Sequence, residues 1–308
     1  MRREKMGKFL AIIGLGGVVL FFLTSCASVE KGISVLGQKT KISSEDAKSL
    51  VQVAQAFRSS FADITEEEEY YIGRSVAATV LSQYKVYKNT SITKYVNHIG
   101  QAAVLYSDRP EIYAGYHFLV LDSDEINALA APGGFIFITK GLLRLCRNED
   151  MLAAVLAHEV GHVAAKHGLR SIKKSRLVEA FRLLASETAQ RSGSANLSKL
   201  VSTYEDILGD ITAALIERGY DRKFETEADA LAVKFMTRAG YSPHALSDFL
   251  AALVSSSQAS SGKGWFKTHP SPEKRLAKVS ATIKALPQVP AVAKVRTQRF
   301  RQYSSRLK

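Results

Sequence analysis

The stretch that most restricts this chain is LAHEVGHVAAKHG, Leu156 to Gly168. Asn148 can cap a helix here, with Glu149 and Asp150 in its first turn and Gly168 able to close it. On that helix His158 and His162 lie four residues apart and share a face. Leu152, Ala153, Val155, Leu156, Val160 and Val163 make the helix apolar, so two imidazoles and a carboxylate are carried into the interior. Buried polar groups need partners, and a metal ion supplies one. Neutral imidazoles are the commonest zinc ligands. Glu159 stands about 100° around the helix from His158, beside such a metal without binding it. There it can take a proton from water and pass it to a leaving amine, the chemistry of an HExxH helix. The chain has only seven histidines, so a chance match is on the order of one per cent.

A catalytic zinc takes three protein ligands and keeps one position open. Glu225-Thr-Glu-Ala-Asp229 offers two carboxylates at i and i+4 of another helix. One can ligate while the other orients a ligand histidine. Glu227 falls on a different face and is expected to be exposed. Together, His158-Glu-Val-Gly-His162 and Glu225-x-Glu-Ala-Asp229 resemble the zinc metalloproteases of the HtpX and CAAX prenyl protease type, metallopeptidase family forty-eight. The resemblance runs from about Ile64 to Leu286. It includes DSDEINALAAPGG from Asp122 to Gly134, Gly141-Leu-Leu143 and Thr268-His-Pro-Ser-Pro272.

The resemblance implies a mainly helical α+β zincin domain, with a small sheet packed on the HExxH helix. It implies one zinc per chain held by His158, His162 and Glu225, with Glu159 as general base and Asp229 behind the ligands. It also implies an edge strand at Asn127, Ala128 and Leu129 beside the metal, able to pair with an extended peptide. In some relatives a histidine at the place of His269 takes the fourth zinc position and holds the enzyme inactive. His167 and Tyr220 are weaker candidates, for orienting a ligand or stabilising an oxyanion; His167 reads more simply as a helix-end cap. Many members of the family carry several transmembrane helices or a helical-repeat extension, and neither pattern follows the first apolar run here. The likeness is greatest to short, lipid-anchored bacterial members.

The chain is expected to divide into four parts. Residues 1–25 read as a signal peptide: Arg2, Arg3, Lys5 and Lys8, then the apolar run Phe9–Leu23. The run ends in Leu23-Thr-Ser-Cys26, which resembles a bacterial lipobox and implies cleavage before Cys26 and acylation (palmitate included) of that residue. Ala27, rather than aspartate, then favours the outer membrane facing the periplasm, if the host is Gram-negative. Residues 26–60 read as a tether and a helix, 61–286 as the protease domain, and 287–308 as a basic, solvated tail. With Cys26 acylated, Cys146 has no disulfide partner and reads as a buried apolar residue.

Within the domain, Thr65-Glu-Glu-Glu68 matches a capping box, with its acid run a cap and solvated face. A helix follows over 92–105, then strands over 116–121, 127–131 and 135–139. Helices are expected over 170–191 and 197–218 with a Ser-Gly-Ser turn between them, then over 224–239, 243–254 and 272–285. The Ser/Gly-rich stretch 255–264 is expected to be mobile.

The net charge of +13 comes with no nucleic-acid motif, so no nucleic-acid partner is expected. The function these features imply is endoproteolysis of unfolded or misassembled envelope proteins, with the envelope assembly machinery as a candidate partner. The alternative is a zinc-stabilised chaperone or assembly factor that holds clients without cutting; Glu159 argues against it, because a structural zinc has no use for a base.

Overall fold

The computed structural model describes residues 64–171, 205, 206, 208–256, 264–269 and 271–307. The expected leader, Cys26, the tether and its helix, residues 172–204 of the expected helix pair and 257–263 of the Ser/Gly stretch lie outside them. Residues Thr65–Lys308 belong to one compact unit. Among the described residues no helix is long and apolar enough to cross a membrane.

Helix α1, Glu66–Gln83, starts on the expected capping box. The Glu68 amide donates to Thr65 Oγ1 at 3.2 Å, and the Thr65 amide donates to Glu68 at 2.8 Å. The acids of that box, Glu66, Glu67 and Glu68, are exposed as expected, but the next one is not. Glu69 is buried and paired with Arg109 at 2.9 Å, because α1 turns that position inward. Helix α2, Thr90–Leu105, buries Ile92, Tyr95, Val96 and Ile99 on one side.

Strands β1 (His117–Leu121), β2 (Ala128–Ala131) and β3 (Phe135–Thr139) form a sheet of order β1-β3-β2. β1 and β3 are parallel; β2 and β3 are antiparallel, joined by the tight turn Pro132–Gly134. Helix α1 lies against that turn at Gly73, where a Cβ would fall 1.8 Å from the Pro132 carbonyl oxygen. Helix α3, Lys140–Leu145, leads to Cys146, which is buried; burial raises its thiol well above the ordinary range.

Helix α4, Glu149–Ala164, is the HExxH helix. Asn148 caps it, accepting from the Met151 amide at 2.8 Å, and every residue from Glu149 to Val163 is buried. Its end differs from expectation. Lys166, not Gly168, takes the left-handed position at φ 54°, and His167–Arg170 form a separate helical turn. The earlier break sets the His167 ring against His162.

Helices α5 (Arg222–Arg238), α6 (His244–Val254) and α7 (Pro272–Lys284) complete the core. Helix α5 packs on α4 at Gly161, where a Cβ would stand 3.2 Å from the Ala228 carbonyl. The expectation of a solvated tail fails at Lys294–Ser304, which form helix α8. Phe300 is buried, Tyr303 stacks on Tyr95 at 4.1 Å, and Arg296 and Arg299 pair with Asp150 and Glu149. Those two acids are fully buried at the start of α4, and basic residues from the C-terminal segment answer them.

Candidate metal centre and active site

Helix α4 supplies His158 and His162 and helix α5 supplies Glu225, all three buried. The two Nε2 atoms lie 3.1 Å apart. Glu225 places one oxygen 3.5 Å from His158 Nε2 and the other 3.4 Å from His162 Nε2. A tetrahedral ion with bonds of about 2.0–2.1 Å has ligand–ligand edges of about 3.3–3.4 Å. With the two imidazole nitrogens 3.1 Å apart and a different Glu225 oxygen facing each, the donors stand close enough to share a zinc-sized ion, and two imidazoles with a carboxylate suit zinc by type.

His269 joins the group: a ligand atom of each of His158, His162, Glu225 and His269 lies within 4.8 Å of the others. Its Nδ1 sits 3.1 Å from Glu225, and its Nε2 faces the Ala128 carbonyl at 3.3 Å and Glu159 at 3.7 Å. Trp265 stacks on its ring at 4.1 Å and Thr268 Oγ1 donates to Asn127 Oδ1 at 3.1 Å, which fixes the segment.

Glu159 is fully buried and, among the described residues, neither carboxylate oxygen accepts a hydrogen bond. Burial raises its carboxyl above the ordinary value. Burial also tends to raise Glu225, but the charges of His269 and Arg275 outweigh it and hold that group well below the ordinary range.

Asp229 stands 3.0 Å from His158 Nδ1, where a residue that orients a ligand belongs. Behind it lies a residue the sequence did not single out, Arg275 of helix α7. Arg275 is buried and donates to both Asp229 oxygens at 2.8 and 2.6 Å, while Nη1 lies 2.9 Å from Glu225. Opposed by burial, Arg275 still holds Asp229 down to about 2. The usable signal was its place six residues after His269 on a helix begun by Pro272; among so many surface cations it carried no mark.

His167 sits against a ligand candidate, one of the two places expected for it, and Glu227 meets it from the half-exposed face its helix position predicts. His167 is fully buried and bonds His162 ring to ring, Nδ1 to Nδ1, at 2.8 Å. Burial holds its imidazole down to about 4, so it is neutral at physiological pH. Glu227 is half-exposed but meets His167 Nε2 at 3.1 Å.

Among the described residues β2 pairs only with β3, so its far side is an edge. The strand starts at Ala128, one residue after the expected Asn127. Asn127 pairs with Thr139 through its carbonyl, so alternation turns the Ala128 and Ala130 carbonyls outward. Both outward carbonyls are taken: Ala128 by His269, and Ala130 by the Tyr220 hydroxyl at 3.2 Å. Tyr220 also lies flat on the His162 ring at 4.5 Å.

The sequence profile of peptidase family M48 matches residues 90–283, which carry every ligand candidate and Glu159. The chain belongs to peptidase family M48. This M48 chain is similar to the beta-barrel assembly-enhancing protease of Escherichia coli (strain K12), 31% identical over 191 residues, or 60% of this chain and 38% of that protein. It is similar to the mitochondrial metalloendopeptidase OMA1 of Schizosaccharomyces pombe, 28% identical over 228 residues, covering 72% of this chain and 63% of the relative. A putative beta-barrel assembly-enhancing protease of Vibrio cholerae is 26% identical over 219 residues, 69% of this chain and 43% of the other. The M48 chain thus spans less than two thirds of the length of each of these curated relatives.

Proposed function

We propose that this chain is a zinc-dependent endopeptidase of the bacterial cell envelope that hydrolyses peptide bonds of unfolded or misassembled proteins. The observation that carries the reading is the buried Glu159, whose oxygens accept no hydrogen bond among the described residues, beside the His158–His162–Glu225 cluster. Zinc, when bound there, supplies a Lewis acid that polarises the scissile carbonyl and acidifies water. Glu159 accepts the proton of the attacking water on a carboxylate oxygen and returns it to the amide nitrogen as the C–N bond breaks. Its raised carboxyl suits that exchange, since a base nearer neutrality also serves as an acid. Arg275 and Asp229 hold the His158 ring in place. The β2 edge receives the substrate as an added strand, which reads backbone rather than sequence and so suits unfolded chains.

The names of the bacterial relatives, with β-barrel assembly in them, support an envelope setting and a link to the assembly machinery there. The narrower placement belongs to the same proposal. It is a lipoprotein member with a signal peptide over 1–25, Cys26 as the acylated residue and membrane attachment through that lipid. His269 acts as a latch: with Tyr220 it covers the two outward carbonyls of β2 and completes a fourth ligand position, so both must leave before a peptide docks.

A non-proteolytic, zinc-stabilised chaperone is the second reading. It is favoured by one observation, the closed set of four candidate ligands. Casein digestion by the zinc-loaded full chain separates the two. The protease reading expects cleavage by wild type or by His269→Ala, abolished by Glu159→Gln. Zinc-loaded wild type and His269→Ala that both leave casein intact would sink it.

A further inference from the structure

Both candidate histidine ligands are backed by another polar group. For His158 the backing is direct, through Asp229 at 3.0 Å. For His162 it runs through an intermediary: His162 Nδ1 to His167 Nδ1 at 2.8 Å, His167 Nε2 to Glu227 at 3.1 Å, and Glu227 to Arg170 at 3.0 Å. The run starts beside the metal position and ends at the surface, where Glu227 and Arg170 are half-exposed.

The proton positions follow from the connectivity. The ligand spacings belong to His162 Nε2, so its proton sits on Nδ1. His167 Nδ1 must then accept, which puts the His167 proton on Nε2, facing the Glu227 carboxylate. A single arrangement of protons satisfies every contact. The His167 ring is held for it by stacking on Phe224 at 4.5 Å, with the Arg170 guanidinium over the same Phe224 ring at 4.6 Å. Geometry also says why an intermediary is needed. Glu227 is two residues from Glu225 on α5, about 200° around the helix, and points away from the metal. His167, placed by the early break after α4, fills the gap.

We infer that His167 and Glu227 are positioning residues of the metal centre: together they fix the His162 tautomer and raise its basicity as a ligand. The Glu225–Asp229 motif then uses all three acids, one as ligand and one behind each histidine. The inference rests on the proposed zinc site but not on proteolysis.

The test is zinc affinity of the full chain, measured by competition with a chromophoric chelator, for wild type, Glu227→Gln, His167→Phe and His167→Gln. Outer partners of ligand histidines are worth about 10–100-fold in metal affinity. Glu227→Gln should weaken zinc about tenfold, and His167→Phe, which keeps the stacked ring, by up to about 100-fold. His167→Gln can still accept from His162 and donate to Glu227, so it should recover most of the loss, which a purely steric role for the ring does not predict. Nitrogen-15 spectra of the zinc-loaded wild type should place the His162 proton on Nδ1. Binding within about twofold of wild type by both Glu227→Gln and His167→Phe overturns the inference, and Glu227→Gln alone decides if His167→Phe does not fold. Wild type that takes up no zinc overturns the metal centre and this inference with it. Weakened zinc in the variants alongside a wild type that never cuts supports the inference and removes only the protease.

Discussion

Cutting the chain after Pro287 removes helix α8 and should cost most of the stability of the domain. Phe300 is buried, which contributes about 2 kcal/mol. The Tyr95–Tyr303 stack contributes about 1 kcal/mol. Arg296, mostly buried, pairs at 3.1 Å with a fully buried Asp150 whose second oxygen has no hydrogen bond among the described residues. Losing it costs about 2–3 kcal/mol, somewhat below the range for a buried pair because the Ser242 amide still serves Asp150. Arg299 pairs with the fully buried Glu149 but is itself half-exposed, so solvent screening leaves about 1–2 kcal/mol. The total, about 6–8 kcal/mol, is comparable with the whole stability of an ordinary domain. The truncated chain should be unfolded or melt more than about 12 °C below the full chain by circular dichroism, at about 2–4 °C per kcal/mol.

Point variants test the electrostatic part. Arg296→Met should lower the melting temperature by about 4–12 °C, and Arg299→Met by about 2–8 °C. Glu149→Gln in the Arg299→Met background should restore part of that loss, since the amide needs no cation. The pH dependence has a definite sign. Burial holds the Asp150 carboxyl above its ordinary 3.8, so its charged form costs stability at neutral pH. That cost is relieved as pH falls through the raised folded value toward 3.8. The deficit of Arg296→Met should therefore shrink on mild acidification. A truncated chain that melts within about 3 °C of the full chain, or a deficit that grows on acidification, refutes the argument.

Gly73→Ala drives a Cβ into the Pro132 carbonyl and should cost at least about 1–3 kcal/mol, seen as a lower urea midpoint, with the turn beside β2 displaced. Chelation of the loaded chain should lower the melting temperature by about 8–16 °C, for zinc at about 1,000 times its dissociation constant, and His158→Ala should abolish that difference. Tyr220→Phe removes the hydroxyl from the Ala130 carbonyl but keeps the ring on His162. Under the latch it should speed cleavage of an extended peptide by up to about fivefold, the worth of one hydrogen bond. A fall to the level of Glu159→Gln would make the hydroxyl part of the chemistry instead.

The parts of the site that were legible in the sequence are those set by local geometry. His158 and His162 follow from one helical turn, Glu225 and Asp229 from another, and Thr65 and Asn148 from capping. What stayed hidden depends on elements far apart in sequence. Glu227 lies on the half-exposed face its helix position predicts, but no periodicity announces that His167 comes to meet it. Glu149 and Asp150 looked like ordinary first-turn acids, and Arg296 and Arg299 like a soluble tail; each reading fails only once the two ends pack together. Arg275 was hidden for the same reason, as one guanidinium among 42 basic side chains.

Arg275 is also where the charge of the site can be tested. Among the described residues the buried carboxylates of Glu225 and Asp229 share one buried guanidinium, and the His158 and His269 rings stand against the same acids at 3.0 and 3.1 Å. Buried carboxylates need cationic partners, and a divalent ion in the proposed His158–His162–Glu225 site would add its charge to that of Arg275. Arg275→Met takes that guanidinium away from both carboxylates. The metal-free variant should lose about 3–5 kcal/mol relative to metal-free wild type, as when a buried pair loses one partner. Zinc should recover more stability in the variant than in wild type, because it then meets more uncompensated charge. The gap between zinc-loaded and chelated melting temperatures should therefore widen in Arg275→Met. If it stays equal to the wild-type gap while zinc still binds, Arg275 and the ion do not share the same buried charge, and its contacts with Asp229 and Glu225 act only by holding those side chains in place.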